Sequence, residues 1–460
     1  MALVVYNTMT HAKEPFQTIE PGVVRMYVCG VTVYAEAHIG HAMSAITFDV
    51  IRRYLEWSGY EVRHAQNFTD VDDKIIDRAA KLGITTDQLV TQLIDAWQDE
   101  TAALHVQPAT VYPRATQEIP GIITMIEGLI ASNHAYTVEG GDVNYRVTSF
   151  ADYGKLSRRK LDDMQAGARI EIDPRKEHPM DFVLWKAAKP GEPAWESPWG
   201  FGRPGWHIEC SVMALKHLGH QLDIHGGGAD LIFPHHENEI AQSEAFPENR
   251  PFARYWMHNG LLQFSGEKMS KSIGNLVSIR ELLEHGDAVP FRLMVLQSIY
   301  RHPLVYTDDA LDAARRGVER LATAVRGYQS GNHEASAETA AVLGDTERRF
   351  RDAMDDDFNT PIATAVLFDL GRTANRATGA NQLALQGQLL RLAGVLGLQL
   401  DDAPTVASDA APFIELLVQL RQELRAAQQW ALADAVRERL ETLGVTIEDT
   451  AVGSTWRAHS

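Results

Sequence analysis

Four side chains spread along the chain form a set that a metal ion accepts: the thiols of Cys29 and Cys210, the imidazole of His235 and the carboxylate of Glu239. Pro234 suits the first turn of a helix, which puts His235 and Glu239 four residues apart on one helical face. His236 and Glu239, three apart, meet the spacing as well, so spacing alone leaves the choice of imidazole open. The ligands are too scattered for a zinc finger or ribbon, whose ligands come in close pairs. The alternative reading is two buried structural thiols and a surface His/Glu pair. Cys29 and Cys210 are the only cysteines, and a disulfide framework does not suit a chain of 460 residues with no secretion signal.

Cys29 also opens a second chemical feature. An apolar run ending Arg25-Met26-Tyr27-Val28 reads as a buried strand, and Ile46, Phe48, Val50, Ile51, Tyr54, Leu55 and Trp57 supply the apolar face of a following helix. The stretch from Cys29 to His41 is then a strand-to-helix turn ending in two imidazoles, His38 and His41, around Gly40. A helix N-terminus presents unpaired N–H groups and the positive end of its dipole, which suits a phosphate. Gly40 lets a ligand approach the backbone, and both histidines can donate to phosphate oxygens. Further on, Ser265–Asn275 is a polar, glycine-flanked loop bearing Lys268 and Lys271. Two ammonium groups on such a loop can close over a triphosphate and meet the charge that develops in the transition state.

The elements that position these groups follow from periodicity. Leu3–Tyr6 and Glu61–Phe68 read as strands, and strand, helix, strand is the start of a doubly wound parallel sheet. Ligands of such sheets sit beyond the carboxyl ends of the strands, where the Cys29 turn and Thr69-Asp70-Val71-Asp72-Asp73-Lys74 both fall. The acidic run lacks the glycine and closing glutamate of a calcium loop, so helix capping by Thr69 or Asp70 is expected. Residues 75–135 read as helices, and Gly140-Gly141-Asp142 marks a hairpin. Cys210 falls on the start of a helix. Leu222–Leu231 reads as a short strand followed by a glycine-rich turn, whose three glycines Gly226-Gly227-Gly228 permit close approach to a nucleotide. Residues 306–400 are helical, 401–411 a linker, and the tail two helices and a small strand pair.

The totals limit the function. Lys+Arg 43 against Asp+Glu 61 gives a net charge of −18, which argues against broad sequence-independent nucleic-acid binding but allows a local basic face. No apolar run is long enough for a membrane span and no secretory signal is evident, so a cytoplasmic location is expected.

Taken together these segments resemble the cysteinyl-tRNA synthetase family, one of the class I aminoacyl-tRNA synthetases. His38-Ile39-Gly40-His41 matches the HIGH motif and Lys268-Met269-Ser270-Lys271-Ser272 the KMSKS motif, which class I synthetases share. The cysteine-specific likeness lies in Thr69–Lys74, Gly205–Ser211, His225–Gly228, Phe233–Glu239 and Asp355–Pro361. Two positions depart from the pattern: Val31, where the family often has proline, and Met43, where it usually has arginine, removing a charge near the nucleotide.

The resemblance implies a Rossmann-like α/β catalytic domain in two halves, residues 1–115 and 201–265, around a connective insertion, 116–200. The KMSKS loop and stem-contact region (266–305), a helical tRNA-binding bundle (306–400) and a small α/β anticodon-binding domain (401–460) follow. It implies one zinc ion on Cys29, Cys210, His235 and Glu239, selecting His235 over His236, and magnesium with ATP. His38, His41, Lys268 and Lys271 are implied as catalytic groups. Gly40, Gly227 and Asp230 join His38, His41 and Lys271 at ATP, and Gly30, Thr69 and Trp206 are implied at the amino acid, Thr69 toward its ammonium. The implied reaction joins L-cysteine to tRNA(Cys) through cysteinyl-adenylate, in a chain expected to be monomeric. A rival family, ligases that join activated cysteine to an amino sugar, shares these motifs but lacks a full anticodon-binding tail, which residues 401–460 supply here.

Overall fold

The computed structural model describes residues 2–161, 173–246, 251–264, 267–268, 277–400, 411–443, 445–450 and 453–458. In chain order the first part comprises β1 (Val4–Asn7), β2 (Ala12–Pro15), β3 (Val23–Thr32), α1 (Ile39–Trp57), β4 (Glu61–Thr69), α2 (Asp73–Leu82), α3 (Thr86–Ala103) and α4 (Ile119–Ala131). Then come β5 (Ala135–Thr137), β6 (Val143–Tyr145), β7 (Phe182–Ala187), β8 (Gly202–Pro204), α5 (Trp206–Leu218), β9 (Leu222–Gly228), α6 (Glu237–Ala245) and β10 (Ala253–Asn259).

Strands β10, β9, β3 and β4 form one sheet in that order, with every neighbouring pair parallel. The chain runs from β3 through α1 to β4 on one side, and from β9 through α6 to β10 on the other. The order therefore reverses between β3 and β9, and the crevice beyond their carboxyl ends is where such a sheet takes ligands. Met26, Tyr27 and Val28 stand beside Ile224, His225 and Gly226, which brings Cys29 to the end of that crevice. The doubly wound parallel sheet expected from sequence is present. A separate antiparallel sheet, β5-β6-β7-β8, forms the segment between its halves; β7 lies in a stretch whose polar composition gave no strand signal.

Downstream lie β11 (Leu262–Phe264), β12 (Glu267–Lys268), α7 (Ile279–Glu284), α8 (Ala288–Leu296) and β13 (Leu304–Tyr306), with β11 between β12 and β13. The helical part is α9 (Asp308–Val325), α10 (Ala337–Asp355), α11 (Thr360–Ala374) and α12 (Gly379–Val395). The tail is α13 (Ala411–Ala426), α14 (Trp430–Thr442), and an antiparallel pair β14 (Val445–Thr450) and β15 (Gly453–Ala458). The expected linker at 401–411 falls outside the described residues apart from Ala411.

Burial explains the assembly. Val24, Met26 and Phe48 of the sheet layer share one apolar cluster with Leu321, Phe350, Leu367 and Leu389 of the helices, so the bundle closes one face of the catalytic core. Asp49 of α1 and Arg292 of α8, both without solvent exposure, pair at 2.8 Å, and Arg292 also donates to the carbonyls of Leu104, His105 and Leu396. Met43 is buried in the cluster that holds Ile39, Leu262 and Phe291, an environment suited to a thioether rather than a guanidinium.

Two local expectations are corrected. The N-cap of α2 is Asp72, which accepts from the Lys74 amide; Asp70 instead accepts from the Thr116 amide and hydroxyl, and Thr69 ends β4. The glycines after His225 are not a turn: β9 runs through Gly228, because a side chain at Gly226 would place its Cβ 2.3 Å from a Phe48 ring carbon. They are needed for close packing, which spacing does not distinguish from turn chemistry.

Candidate active site and metal centre

Strand β3 delivers Cys29, α5 delivers Cys210, and the segment leading into α6 delivers His235 and Glu239. One donor atom from each lies within 4.8 Å of all the others, and only Cys29 keeps partial exposure. The two sulfurs are 3.9 Å apart, whereas bonded sulfurs sit at about 2 Å. Two thiolates on a tetrahedral zinc at about 2.3 Å would be separated by about 3.8 Å, so the observed spacing fits a shared cation. Glu239 Oε1 is 3.0 Å from His235 Nε2 and 3.4 Å from Cys29 Sγ. Here Phe233 is extended and Pro234–His236 precede the regular helix, yet the four-residue spacing still places His235 and Glu239 face to face.

A second set, Cys29, His225, His236 and Glu239, also meets the distance requirement. His236 Nε2 lies 3.3 Å from Cys29 Sγ, and its Nδ1 is 2.7 Å from His258 Nε2. His225 Nε2 lies 2.8 Å from Glu239 Oε2. His207 and His235 share a contact through their Nδ1 atoms at 2.9 Å, leaving His235 Nε2 facing the carboxylate. Sequence reasoning missed His207, His225 and His258. The available signal was density, because seven of the chain's 18 histidines fall between residues 207 and 258.

The electrostatics fit a cation. Burial pushes the Cys210 thiol up, but its hydrogen bond with Cys29 and the neighbouring His235 bring it down to about 6. Burial and Cys210 push Cys29 up, as expected where two thiolates would sit together. Despite burial, His225 and His235 hold Glu239 well below the usual carboxylate range. Burial opposes charge on His235, but Glu239 and Cys210 raise it to about 10. Burial, then His225 and His258, keep His236 neutral. Ionised together, two buried thiolates and a buried carboxylate would be costly without a cation that compensates them.

The residues expected at the amino acid adjoin this cluster. Trp206 is stacked on His235, with ring centroids 4.3 Å apart, and retains 38% exposure. Thr69 donates to Glu209 Oε2 at 2.9 Å; Glu209 Oε1 is buried with no partner among the described residues. Burial pushes the Glu209 carboxyl up, against the Thr69 hydrogen bond. The Gly30 amide donates to Asn67 Oδ1, and a Cβ at Gly30 would lie 1.7 Å from the Asn67 carbonyl oxygen, so this position must be glycine.

Of the residues expected at the nucleotide, His38 is the N-cap of α1. Its Nδ1 accepts from the Gly40 amide, and His41 Nδ1 accepts from the His38 amide. In the neutral rings these contacts leave the proton on Nε2, the atom each turns away from its own backbone. The rings stack at 3.8 Å, and Trp97 meets His41 edge-on. Ser44 donates to Asn259 Oδ1, tying α1 to the end of β10. Gly227 lies near the end of β9, packed against Leu231 and His236, and Asp230 follows it in a short 3-10 turn. Lys268 ends β12, paired with Gln263; Lys271 lies outside the described residues.

Residues 15–316 match the family described as tRNA synthetases class I (C) catalytic domain, and residues 349–401 match the DALR domain. A cysteine–tRNA ligase of Dehalococcoides mccartyi is 54% identical over 457 residues, covering 98% of this chain and 99% of its own. One from Tolumonas auensis is 49% identical over 465 residues, covering 99% of each. Among solved structures, methionyl-tRNA synthetase of Mycobacterium tuberculosis, with methionyl-adenylate, aligns with a TM-score of 0.57 at 18% identity, covering 86% of this chain and 94% of its own. A LeuRS of Agrobacterium radiobacter aligns with a TM-score of 0.61 at 11% identity, covering 84% and 85%. At these identities the two structures bear on the fold alone.

Proposed function

The chain belongs to the cysteine–tRNA ligase family of class I synthetases, and from that premise we propose that it activates L-cysteine with Mg-ATP and esterifies it to the 3′ end of tRNA(Cys), using zinc on Cys29, Cys210, His235 and Glu239 to select the amino acid. The observation that carries the selection is the buried donor set, whose two sulfurs sit 3.9 Å apart. The mixed set is favoured over the one with His225 and His236, because it brings two thiolates rather than one to the ion and thiolates suit zinc. Bound there, zinc supplies a Lewis-acidic site at which a thiol ionises readily and a hydroxyl does not.

In the first step the cysteine carboxylate attacks the α-phosphate of ATP and pyrophosphate leaves. In the second, the terminal ribose hydroxyl of the tRNA attacks the activated carbonyl and AMP leaves. No protein nucleophile is needed, so catalysis rests on positioning and charge stabilisation. His38 and His41 direct Nε2–H donors to the phosphates beside the N-terminus of α1, with Gly40, Gly227 and Asp230 shaping the nucleotide site. Lys268 and Lys271 meet the charge on the departing pyrophosphate. Trp206 covers the amino acid, Gly30 keeps the backbone close to it, and Thr69 accepts from its ammonium.

A site built on one specific bond can reject an analogue lacking it by about 10⁴-fold, without a separate editing reaction. The test is attachment of labelled cysteine to unfractionated tRNA with ATP and magnesium, with serine as control. Charging by cysteine alone is the expected result. Cysteine-dependent ATP–pyrophosphate exchange without charging would instead favour the amino-sugar ligase, a reading that the tail at 411–458 argues against.

A further inference from the structure

Helix α2 begins four residues after Thr69, at the edge of the proposed amino-acid site. Lys74, Arg78 and Lys81 follow at positions i, i+4 and i+7, so they share one helical face that spans about 10 Å. All three are exposed, and none makes an ion pair among the described residues. With Tyr34, Ala35 and Asp77 they line one hollow. Lys74 sits over the Tyr34 ring, 5.3 Å from its centroid. Tyr34 and Ala35 also line the cleft that holds His38, His41 and Trp97, so the hollow and the cleft are contiguous. Asp73 is held by Lys186 and Arg203, and Asp77, which lines the same hollow, offsets one of the three charges, so the face stays net positive. On a chain of net charge −18, this face keeps a net positive charge beside an aromatic ring.

We propose that this face of α2, together with Tyr34, receives the single-stranded 3′ end of the acceptor tRNA and leads it into the cleft. The chemistry is that of single-strand binding: cations along the backbone, an aromatic face for a base, and little dependence on sequence. The inference rests on the functional reading above and adds the route of the RNA.

The test compares the unmodified chain with a Lys74→Ala/Arg78→Ala/Lys81→Ala variant. Cysteine-dependent ATP–pyrophosphate exchange, which needs no tRNA, should stay within about twofold, while KM for tRNA in charging should rise about tenfold or more. The plot of log(kcat/KM) against log[salt] should become shallower by about two, as expected for three lost contacts to a single strand. A tRNA trimmed of its four terminal nucleotides should bind the unmodified chain more weakly than whole tRNA, and the variant should bind the two equally. Lys74→Arg/Lys81→Arg should charge like the unmodified chain. Intact exchange with unchanged tRNA KM and salt slope would overturn the proposal. So would equal weakening of whole and trimmed tRNA, which would place the contact on the body of the RNA. If the alanine variant loses exchange, charging by the arginine variant decides: normal KM for tRNA supports the role of charge, and a raised KM contradicts it. Failure of the unmodified chain to charge any tRNA would overturn the functional reading, and this inference with it.

Discussion

The indole of Trp206 lies over the imidazole of His235, their planes 28° apart, where the proposed metal-ligand cluster meets a partly exposed aromatic side chain. This contact couples the shape of the amino-acid site to the orientation of a proposed ligand. Trp206→Ala should raise KM for cysteine in ATP–pyrophosphate exchange about tenfold, in line with about 1.4 kcal/mol from an aromatic contact and its buried area. Trp206→Phe should recover most of that. An alanine variant with unchanged KM would remove Trp206 from the substrate site.

Thr69 and Glu209 come from opposite halves of the catalytic domain, and their hydrogen bond joins β4 to α5. Thr69→Val keeps the shape of the side chain and removes the donor, leaving both Glu209 oxygens unpaired in a buried place. The expected cost is about 1–3 kcal/mol of stability, with a raised KM for cysteine. Urea unfolding and steady-state exchange measure the two effects separately; a variant as stable as the parent would contradict the account of Glu209.

Arg292 anchors α8 to α1 through Asp49 and to the end of α12 through the Leu396 carbonyl. Arg292→Met leaves Asp49 buried, with Arg53 as its remaining cation. Removing one partner of such a pair costs about 3–5 kcal/mol, and Arg53 should keep the loss near the lower end. Tryptophan fluorescence during urea unfolding should show an earlier transition, and an unchanged midpoint would mean that the pair adds nothing to the docking of these helices.

His64 is buried with neither ring nitrogen hydrogen-bonded among the described residues; burial first, then Arg52, lowers it to about 3. The unfolded chain has an ordinary histidine there, near 6.5. Below that pH the unfolded state takes up a proton that the folded state refuses, so His64 makes stability fall with pH, by up to about 1.4 kcal/mol per pH unit between 6.5 and about 3. His64→Phe should flatten the loss of melting temperature between pH 7 and pH 5. An equally steep loss would show that His64 does not drive it.

The sequence was legible where chemistry depended on residue type and short spacing. Cys29, Cys210 and Glu239 were named from donor type, His235 was chosen over His236 by the family resemblance, and the parallel sheet came from one strand-helix-strand pattern. What escaped was set by tertiary contact. The Asp72 cap was hidden because Asp70 stands in the same acidic run, and only the fold draws Asp70 to Thr116. The glycines of β9 looked like a turn because their reason is the Phe48 ring, far away in sequence. His225 and His258 carry no local motif; they matter because β9 and β10 bring them behind Glu239 and His236.

The most direct test of the central claim is the ratio of cysteine to serine activation, measured by ATP–pyrophosphate exchange in zinc-replete protein and in Cys210→Ser, with bound metal quantified in both. The account predicts one zinc per chain and a ratio of about 10⁴ or more in the parent. The variant should lose the zinc and cysteine activation together. Cysteine activation of normal rate and selectivity in a zinc-free variant would contradict it.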